Sequence, residues 1–393
     1  MASRKVYLEP AWKLHVGYHL RELVPYPPEG YQFLVNKDTT EGMFHRISQW
    51  GFSYKLMSVM HHLAPLNLLK SYLERFLKKA PEGIDLTFSL NHMIFRKEPW
   101  IIETDAVWDG IGPNARYFKK YKKIVERTFA SEYCKKILCF SEFSQKTLLS
   151  FMDCSQFEAK IDIMPRAVHS KEFTKKTDDK KVILLFVGSA NLSGEFEMRG
   201  GKEVLEAFSI LSRKYKNLEL VIRSDISPWI RRKYREHLAL PNLKLIDQLL
   251  PFTALEQIYQ SADIFLFPGH YDNWLIVLEA MSYELPVIAT DIYAASERVV
   301  DGKTGLLVKP SEGVPYYEDG IPLLNMTSRF QKAIQQVDPR VVTDLVNKIS
   351  ILIENEAMRR EMGKAGRWEI EHGKCSIKKR NEVLKRVFDE AIS

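Results

Sequence analysis

The 393-residue chain lacks the features that mark several protein classes. It has four cysteines, Cys134, Cys139, Cys154 and Cys375, too few for a disulfide scaffold. None of them forms a Cys-x-x-Cys pair, so a zinc ribbon is excluded as well. No 18 apolar residues run together, so no segment reads as a membrane-spanning helix. The first residues, MASRKVYLEPAWKLH, contain no continuous apolar region; no secretory signal is expected, and a reducing, cytoplasmic compartment is the expectation. Internal repeats and low-complexity tracts are also missing. Charge of one sign is not dominant: 57 Lys and Arg against 50 Asp and Glu give +7. That balance permits anionic small molecules, membrane surfaces or nucleic acid and selects none of them. With 45% hydrophobic and 27% charged residues, the chain is neither disordered, collagen-like nor coiled-coil. At roughly 150 residues per domain, two to three domains are expected.

What is present is an alternation of short apolar runs with helical patterns. A charged stretch at Lys171–Lys181 (KEFTKKTDDKK) has no apolar period and reads as a linker. Before it, strands are expected at Lys5–Glu9, Gln32–Val35, Leu86–Ser89, Trp100–Glu103, Lys136–Phe140 and Lys160–Met164. Helices are expected at Gly51–Leu63, Leu66–Lys79, Ala115–Glu132 and Phe143–Phe151. After it, strands fall at Val182–Gly188, Leu218–Ser224, Leu243–Asp247, Asp263–Gly269, Pro286–Asp291 and Gly305–Pro310. The helices between these are Lys202–Lys214, Ile226–Leu238, Thr253–Gln260 and Leu275–Tyr283. Near-continuous apolar strands separated by helices predict parallel sheets covered on both faces. The expected fold is α/β: two Rossmann-like, doubly wound parallel-sheet domains facing an interdomain cleft, with ligands at the carboxyl ends of the strands. Residues 311–338 break the alternation and look inserted; helices Pro339–Glu354, Glu356–Glu371 and Ser376–Ala391 follow.

The most informative stretch is ADIFLFPGHYDNWLIVLEAMSYELPVIATD, Ala262–Asp291. A strand ends at Pro268–Gly269, a polar turn follows, and a helix opens with Glu279 in its first turns. A carboxylate there can accept both hydrogen bonds of a vicinal diol, such as a ribose 2′,3′ pair. The amides at the helix start can hold a diphosphate. Diol and diphosphate together specify a nucleotide.

These residues resemble the glycosyltransferases of the GT-B fold, and most closely glycosyltransferase family 4, over about Lys136–Ile392. The similar pieces are KILCFSEFSQKTL (Lys136–Leu148), IDIMPRAVHSKEF (Ile161–Phe173), RGGKEVLEAF (Arg199–Phe208), LPFTALEQIYQSADIFLFPG, and LEAMSYELPVIATD…SERVVDGKTGLLV (Leu278–Val308), in family order. The resemblance implies an acceptor-binding domain over residues 1–175, a nucleotide-sugar-binding domain over 180–375, and a last helix, 376–393, crossing back to the first. It implies a retaining, metal-independent transferase that moves a sugar from a nucleotide-diphosphate sugar, a UDP- or GDP-sugar, to an acceptor hydroxyl. No further cofactor is implied, and no Asp-x-Asp metal motif occurs.

By the same resemblance, Glu279 is the second Glu of the family's Glu-x7-Glu motif and binds the ribose. The first falls on Tyr271, beside Asp272, which supplies a carboxylate if the register shifts by one. Trp274 stands where the family has Gly. Arg199 keeps one of the two family cations for the diphosphate; Ser189 replaces the other, and Arg223 substitutes for it. Gly188, His270, Asn273 and Leu275 complete the implied donor set. On the acceptor side stand Gly17, Glu103 and Asp105, the last at the position of a family His. Arg199, Asp105 and Asp272 are the implied catalytic groups. These departures keep two other readings open: an inactive GT-B scaffold that binds a glycan or protein, and a nucleotide-sugar epimerase or hydrolase.

Two basic segments bear on partners. Arg116–Lys136 carries eight cations and two acids, and Leu66–Ala80 is amphipathic. Both suit an anionic membrane surface and a lipid-linked or glycan acceptor. No nucleic-acid module accompanies the charge. Cys139, inside an apolar strand, reads as a core thiol.

Overall fold

In the computed structural model, residues 3–10, 19–35, 65–105, 111, 115–174, 181–189, 195–272, 274–318, 320–322 and 327–393 are described. The expected helix 51–63 and Gly17 lie outside them. Contacts divide the chain into two compact units, Met1–Ala167 with Ser376–Ser393, and Val168–Cys375. Residues 168–174, read as the start of the linker or the end of the first domain, therefore belong to the second unit.

The first unit holds a six-stranded parallel sheet: β1 (Arg4–Pro10), β2 (Tyr31–Leu34), β3 (Leu86–Leu90), β4 (Trp100–Thr104), β5 (Cys134–Cys139) and β6 (Ile161–Ile163), in the order 2-1-3-4-5-6. Strands β3 and β4 are buried along their whole length, as apolar runs between covering layers must be. Helices α1 (Leu66–Leu77), α2 (Ala115–Ala130) and α3 (Glu142–Phe151) lie between the strands in sequence. Ser141 caps α3 by accepting the amide of Ser144 at 3.0 Å. All four cysteines are buried and unbridged.

The second unit starts with β7 (Val182–Val187), followed by α4 (Glu195–Met198) and α5 (Gly201–Lys214), β8 (Leu218–Arg223), α6 (Pro228–Lys233), α7 (Arg235–Leu238) and β9 (Leu243–Ile246). Then come α8 (Phe252–Ser261), β10 (Ile264–Phe267), α9 (Trp274–Ser282), β11 (Val287–Thr290), α10 (Ala295–Arg298) and β12 (Gly305–Val308). The sheet is parallel throughout, in the order 12-11-10-7-8-9. The expected helix Ile226–Leu238 is two helices, because Tyr234 leaves helical geometry (φ −105°, ψ 25°) and turns its ring into the core.

A short antiparallel ribbon, β13 (Tyr317–Glu318) and β14 (Ile321–Pro322), and α11 (Ser328–Ala333) occupy the inserted segment. Helices α12 (Pro339–Glu354) and α13 (Glu356–Glu371) follow. The core joins the strands to Phe196, Phe208, Leu345 and Leu352, each worth roughly 1.5–3 kcal/mol when fully buried.

The last helix, α14 (Ile377–Ile392), packs Leu384, Val387 and Phe388 into the first unit's core with Val6, Phe33 and Phe88. Buried Arg380 pins it by donating to the carbonyls of Glu22 (2.5 Å) and Tyr26 (2.7 Å). Among the described residues no helix is long and apolar enough to cross a membrane.

Candidate functional site

In both sheets the chain starts near the middle, builds outward to one side, then crosses to the other. The strand order reverses between β1 and β3 in the first unit and between β7 and β10 in the second. Such a reversal opens a crevice at the carboxyl ends of the strands, where α/β proteins bind ligands.

In the second unit that crevice receives the loops after β7 and β10, which carry the sequence's strongest motifs. Glycines let them meet. A Cβ on Gly188 would stand 2.1 Å from Ser224 Oγ. Gly200 has φ +82°, and a Cβ there would lie 2.0 Å from the Pro268 carbonyl oxygen. The amide of His270 donates to the Met198 carbonyl at 2.8 Å, tying the two loops together.

Arg199 is fixed at this junction. Its Nε donates to Glu195 Oε2 (2.9 Å) and to the Tyr271 hydroxyl (3.2 Å), and its Nη1 to the carbonyls of Val187 (3.3 Å) and Gly188 (3.2 Å). The Tyr271 hydroxyl donates to the same Glu195 oxygen at 2.6 Å. Burial works against its charge, but Tyr271 and Glu195 outweigh that and raise its pKa.

Arg223 ends β8, paired in register with Val187. It is 9% exposed, and its Nε is buried with no hydrogen-bond partner among the described residues. Burial, and then the charge of Arg199, lower its pKa, while Tyr259 and Glu279 oppose them. A guanidinium stays charged in proteins, so this is a desolvated cation beside a second one. Glu279, half-buried on α9, lies within electrostatic reach of it. Two arginines and one carboxylate thus converge at the switch point.

The remaining expected residues take different places. The side chain of Ser189 is half-buried, and its carbonyl accepts the amide of Asp225 at 2.7 Å. His270 is buried, with Nδ1 3.2 Å from the Tyr316 hydroxyl and Nε2 3.3 Å from Glu203 Oε1. Both ring nitrogens are engaged within the protein, so His270 supports the loop. Asp272 is ion-paired with Arg298. Leu275 is half-buried in the first turn of α9, which begins at Trp274; Asn273 lies outside the described residues. Tyr271, Asp272, Thr290 and Arg298 line a small, open pocket.

Three residues not singled out from sequence belong here: Glu195, which orients Arg199 and Tyr271, Arg298, which holds Asp272, and Glu203 behind His270. Each acts through a contact far along the chain, apart from Glu195, whose i,i+4 spacing to Arg199 was the one legible signal.

Glu103 and Asp105 belong to the first unit, at the carboxyl end of β4. Glu103 is buried and pairs with Arg166 Nη2 at 3.4 Å; Asp105 is half-buried. At that unit's own switch point Glu9 (2% exposed) accepts a bidentate pair from Arg96 and lies 3.4 Å from His92 Nε2. Burial alone would raise the Glu9 pKa, but the hydrogen bonds of His92 and Arg96 reverse that and hold it at about 2. Glu9, Glu74 and His92 come close enough for a metal. Arg96 and Lys78 already neutralise Glu9, so the group reads as an ionic network.

Two six-stranded parallel sheets with this helix arrangement define the GT-B fold. Over 98% of its length the chain superimposes on 99% of HepE from Anabaena, solved with UDP, at a TM-score of 0.61 and 12% identity, a likeness of fold. Residues 181–321 match the family Glycosyl transferases group 1. The chain is 25% identical over 178 residues to the capsular polysaccharide biosynthesis glycosyltransferase CapM of Staphylococcus aureus, 44% of this chain and 38% of that protein. It is 29% identical over 160 residues to D-inositol 3-phosphate glycosyltransferase of Pseudarthrobacter chlorophenolicus, 38% of each. The chain thus spans well under half the length of these relatives.

Proposed function

We propose that this chain is a retaining glycosyltransferase that takes a sugar from a nucleoside-diphosphate sugar and delivers it to the hydroxyl of a glycan or lipid-linked acceptor. The observation that carries the reading is the convergence of Arg199, Arg223 and Glu279, with the buried Arg223 Nε lacking a hydrogen-bond partner among the described residues. A diphosphate oxygen supplies the acceptor that a buried cation requires. Glu279 accepts the ribose hydroxyls. Arg199, held by Glu195 and Tyr271, needs no reorganisation when charge develops on the leaving group.

In the reaction the bond from the anomeric carbon to the diphosphate oxygen breaks, and the acceptor oxygen bonds to that carbon on the same face. The acceptor proton passes to the departing diphosphate. No protein nucleophile or metal enters these steps; positioning and charge stabilisation are the protein's work. In this reading the nucleotide sits on the second domain, 180–375, and the acceptor on the first, 1–175 with 376–393, where Asp105 and Glu103 are acceptor-side groups. UDP is the first nucleotide to try, given the UDP bound in HepE.

Partner and location follow from one more feature. Helix α1 buries Leu68, Ser71 and Glu74 and exposes Leu69, Tyr72, Leu73, Phe76 and Leu77, flanked by Arg75, Lys78 and Lys79. Helix α2 exposes Lys119, Lys120, Lys123 and Arg127. An apolar stripe edged with cations suits an anionic membrane surface and supports a peripheral position at the cytoplasmic face of a membrane as part of this reading.

Thermal unfolding with UDP, GDP and their sugar conjugates tests the reading. A ligand at about 100 times its Kd adds roughly 2.7 kcal/mol, and one nucleotide is expected to raise the midpoint by a few degrees. Glu279→Ala should abolish that rise. If no nucleotide moves the midpoint, the chain is an inactive scaffold. Sugar release or epimerisation without acceptor would make it a hydrolase or epimerase.

A further inference from the structure

We infer that the inserted segment, residues 311–338, carries a platform for a pyranose ring, built from Tyr317 with Tyr293, Asp291 and Asp272. The inference rests on the proposed function in taking a saccharide as substrate.

The segment is not a solvated loop. Its Val314, Tyr316, Phe330 and Ile334 are buried together with Met198 and Ile292, and Tyr271 and Tyr293 pack against them. Met198, Tyr271 and Tyr293 follow the carboxyl ends of β7, β10 and β11, so the insert covers the ligand end of the second unit's sheet. Polar ties fasten it, among them the Tyr316 hydroxyl to His270 Nδ1 (3.2 Å) and buried Lys202 to the Ile334 carbonyl.

Tyr293 has φ +51°, a backbone state that a bulky residue adopts only when its surroundings impose it. The insert imposes it. The Tyr293 hydroxyl donates to the Tyr316 carbonyl at 3.1 Å, and its ring meets those of Tyr316 and Tyr317 edge to face, at 6.1 and 5.8 Å. Such strain gathers at ligand sites. Tyr317 itself is 48% exposed, on a ribbon whose partner strand follows Gly320 at φ +79°.

Two carboxylates flank the aromatic pair: Asp291 lies within electrostatic reach of Tyr317, and Asp272 of Tyr293. Asp291 is exposed, and Asp272, although paired with Arg298, keeps further lone pairs. A pyranose offers an apolar C–H face and a rim of hydroxyl donors. An exposed aromatic face beside carboxylate acceptors matches both.

Saturation-transfer NMR on the full chain tests this with UDP-glucose, UDP and maltose. In wild type, saturation should reach the hexose ring protons. Tyr317→Ala should cut that signal at least threefold, Tyr317→Phe should keep it, and the uracil signal of UDP should not change. A loss confined to UDP-glucose assigns the platform to the donor sugar; a loss confined to maltose assigns it to the acceptor. Hexose signals in Tyr317→Ala equal to wild type, or absent from wild type with both sugars, would overturn the inference. Absence of uracil saturation counts against the nucleotide reading alone, because the maltose arm still decides the platform. An unchanged unfolding midpoint for Tyr317→Ala confirms that the half-exposed side chain is not structural.

Discussion

At the switch point of the first unit a carboxylate is enclosed by cations; at that of the second a cation is enclosed with one nitrogen unmatched. Glu9 has Arg96, His92 and Lys78 around it. Arg223 has Arg199 and Glu279 near it and, among the described residues, no hydrogen-bond partner on Nε. The topology is the same up to the order of the outer strands, so the backbone does not set the difference. A closed network contributes shape and stability. An open one lowers stability in the free protein and repays it when an anion binds. In the proposed function this contrast separates residues that build the molecule from residues that bind the donor.

The largest expected effect breaks the open side. Arg199→Ala or Arg223→Ala should lower turnover by roughly 10²–10³-fold, the scale seen when one preorganised charge-stabilising donor is removed. The two should differ in stability. Arg223→Ala should leave the unfolding midpoint unchanged or higher, since it removes a desolvated cation. Arg199→Ala should lower it, because Glu195 loses its partner. A steep fall in midpoint for Arg223→Ala would make that residue structural.

On the closed side, Glu9→Gln should cost about 3–5 kcal/mol, the scale for breaking a buried pair, read as the shift in denaturant midpoint. Its pH dependence has a definite sign. The folded pKa of Glu9, about 2, lies below the unfolded carboxylate value, roughly 4.3. Its stabilisation is complete above the unfolded value and is lost as pH falls towards 2. Acid unfolding between pH about 5 and 2 should therefore be shallower in Glu9→Gln than in wild type. The smallest effect concerns the surface. Phe76→Asp on α1 should leave the midpoint within about 0.5 kcal/mol and reduce co-sedimentation with phosphatidylglycerol vesicles severalfold. Equal binding by the variant would remove the membrane reading.

The strands were legible because parallel strands buried on both faces are apolar without interruption: VILLFV became β7 and DIFLF ended in β10, within one or two residues of expectation. Glu279 and Arg199 could be singled out because each stands in a long family-like string; their roles belong to the proposed function. His270 was not, although it stands in the same string: both its nitrogens are consumed by Glu203 and Tyr316, 67 and 46 residues away. Asp272 was placed correctly in the turn before α9, but its pairing with Arg298 depends on how α10 returns to it. The break at Tyr234 escaped detection because the flanking residues keep a helical apolar period while the ring needs the core.

By itself, then, the sequence determined the α/β alternation, the parallel sheets and the positions of the strongest motif residues, because apolar periodicity and local turn chemistry are properties of neighbouring residues. The tertiary structure alone decided which charges are paired and which are not. Strand order placed Arg223 of β8 beside Val187 of β7, and the loop around Gly200 brought Arg199 to Tyr271. It also folded the insert onto Tyr293. These are contacts between residues tens of positions apart, and their energies depend on burial and distance, which no local pattern encodes.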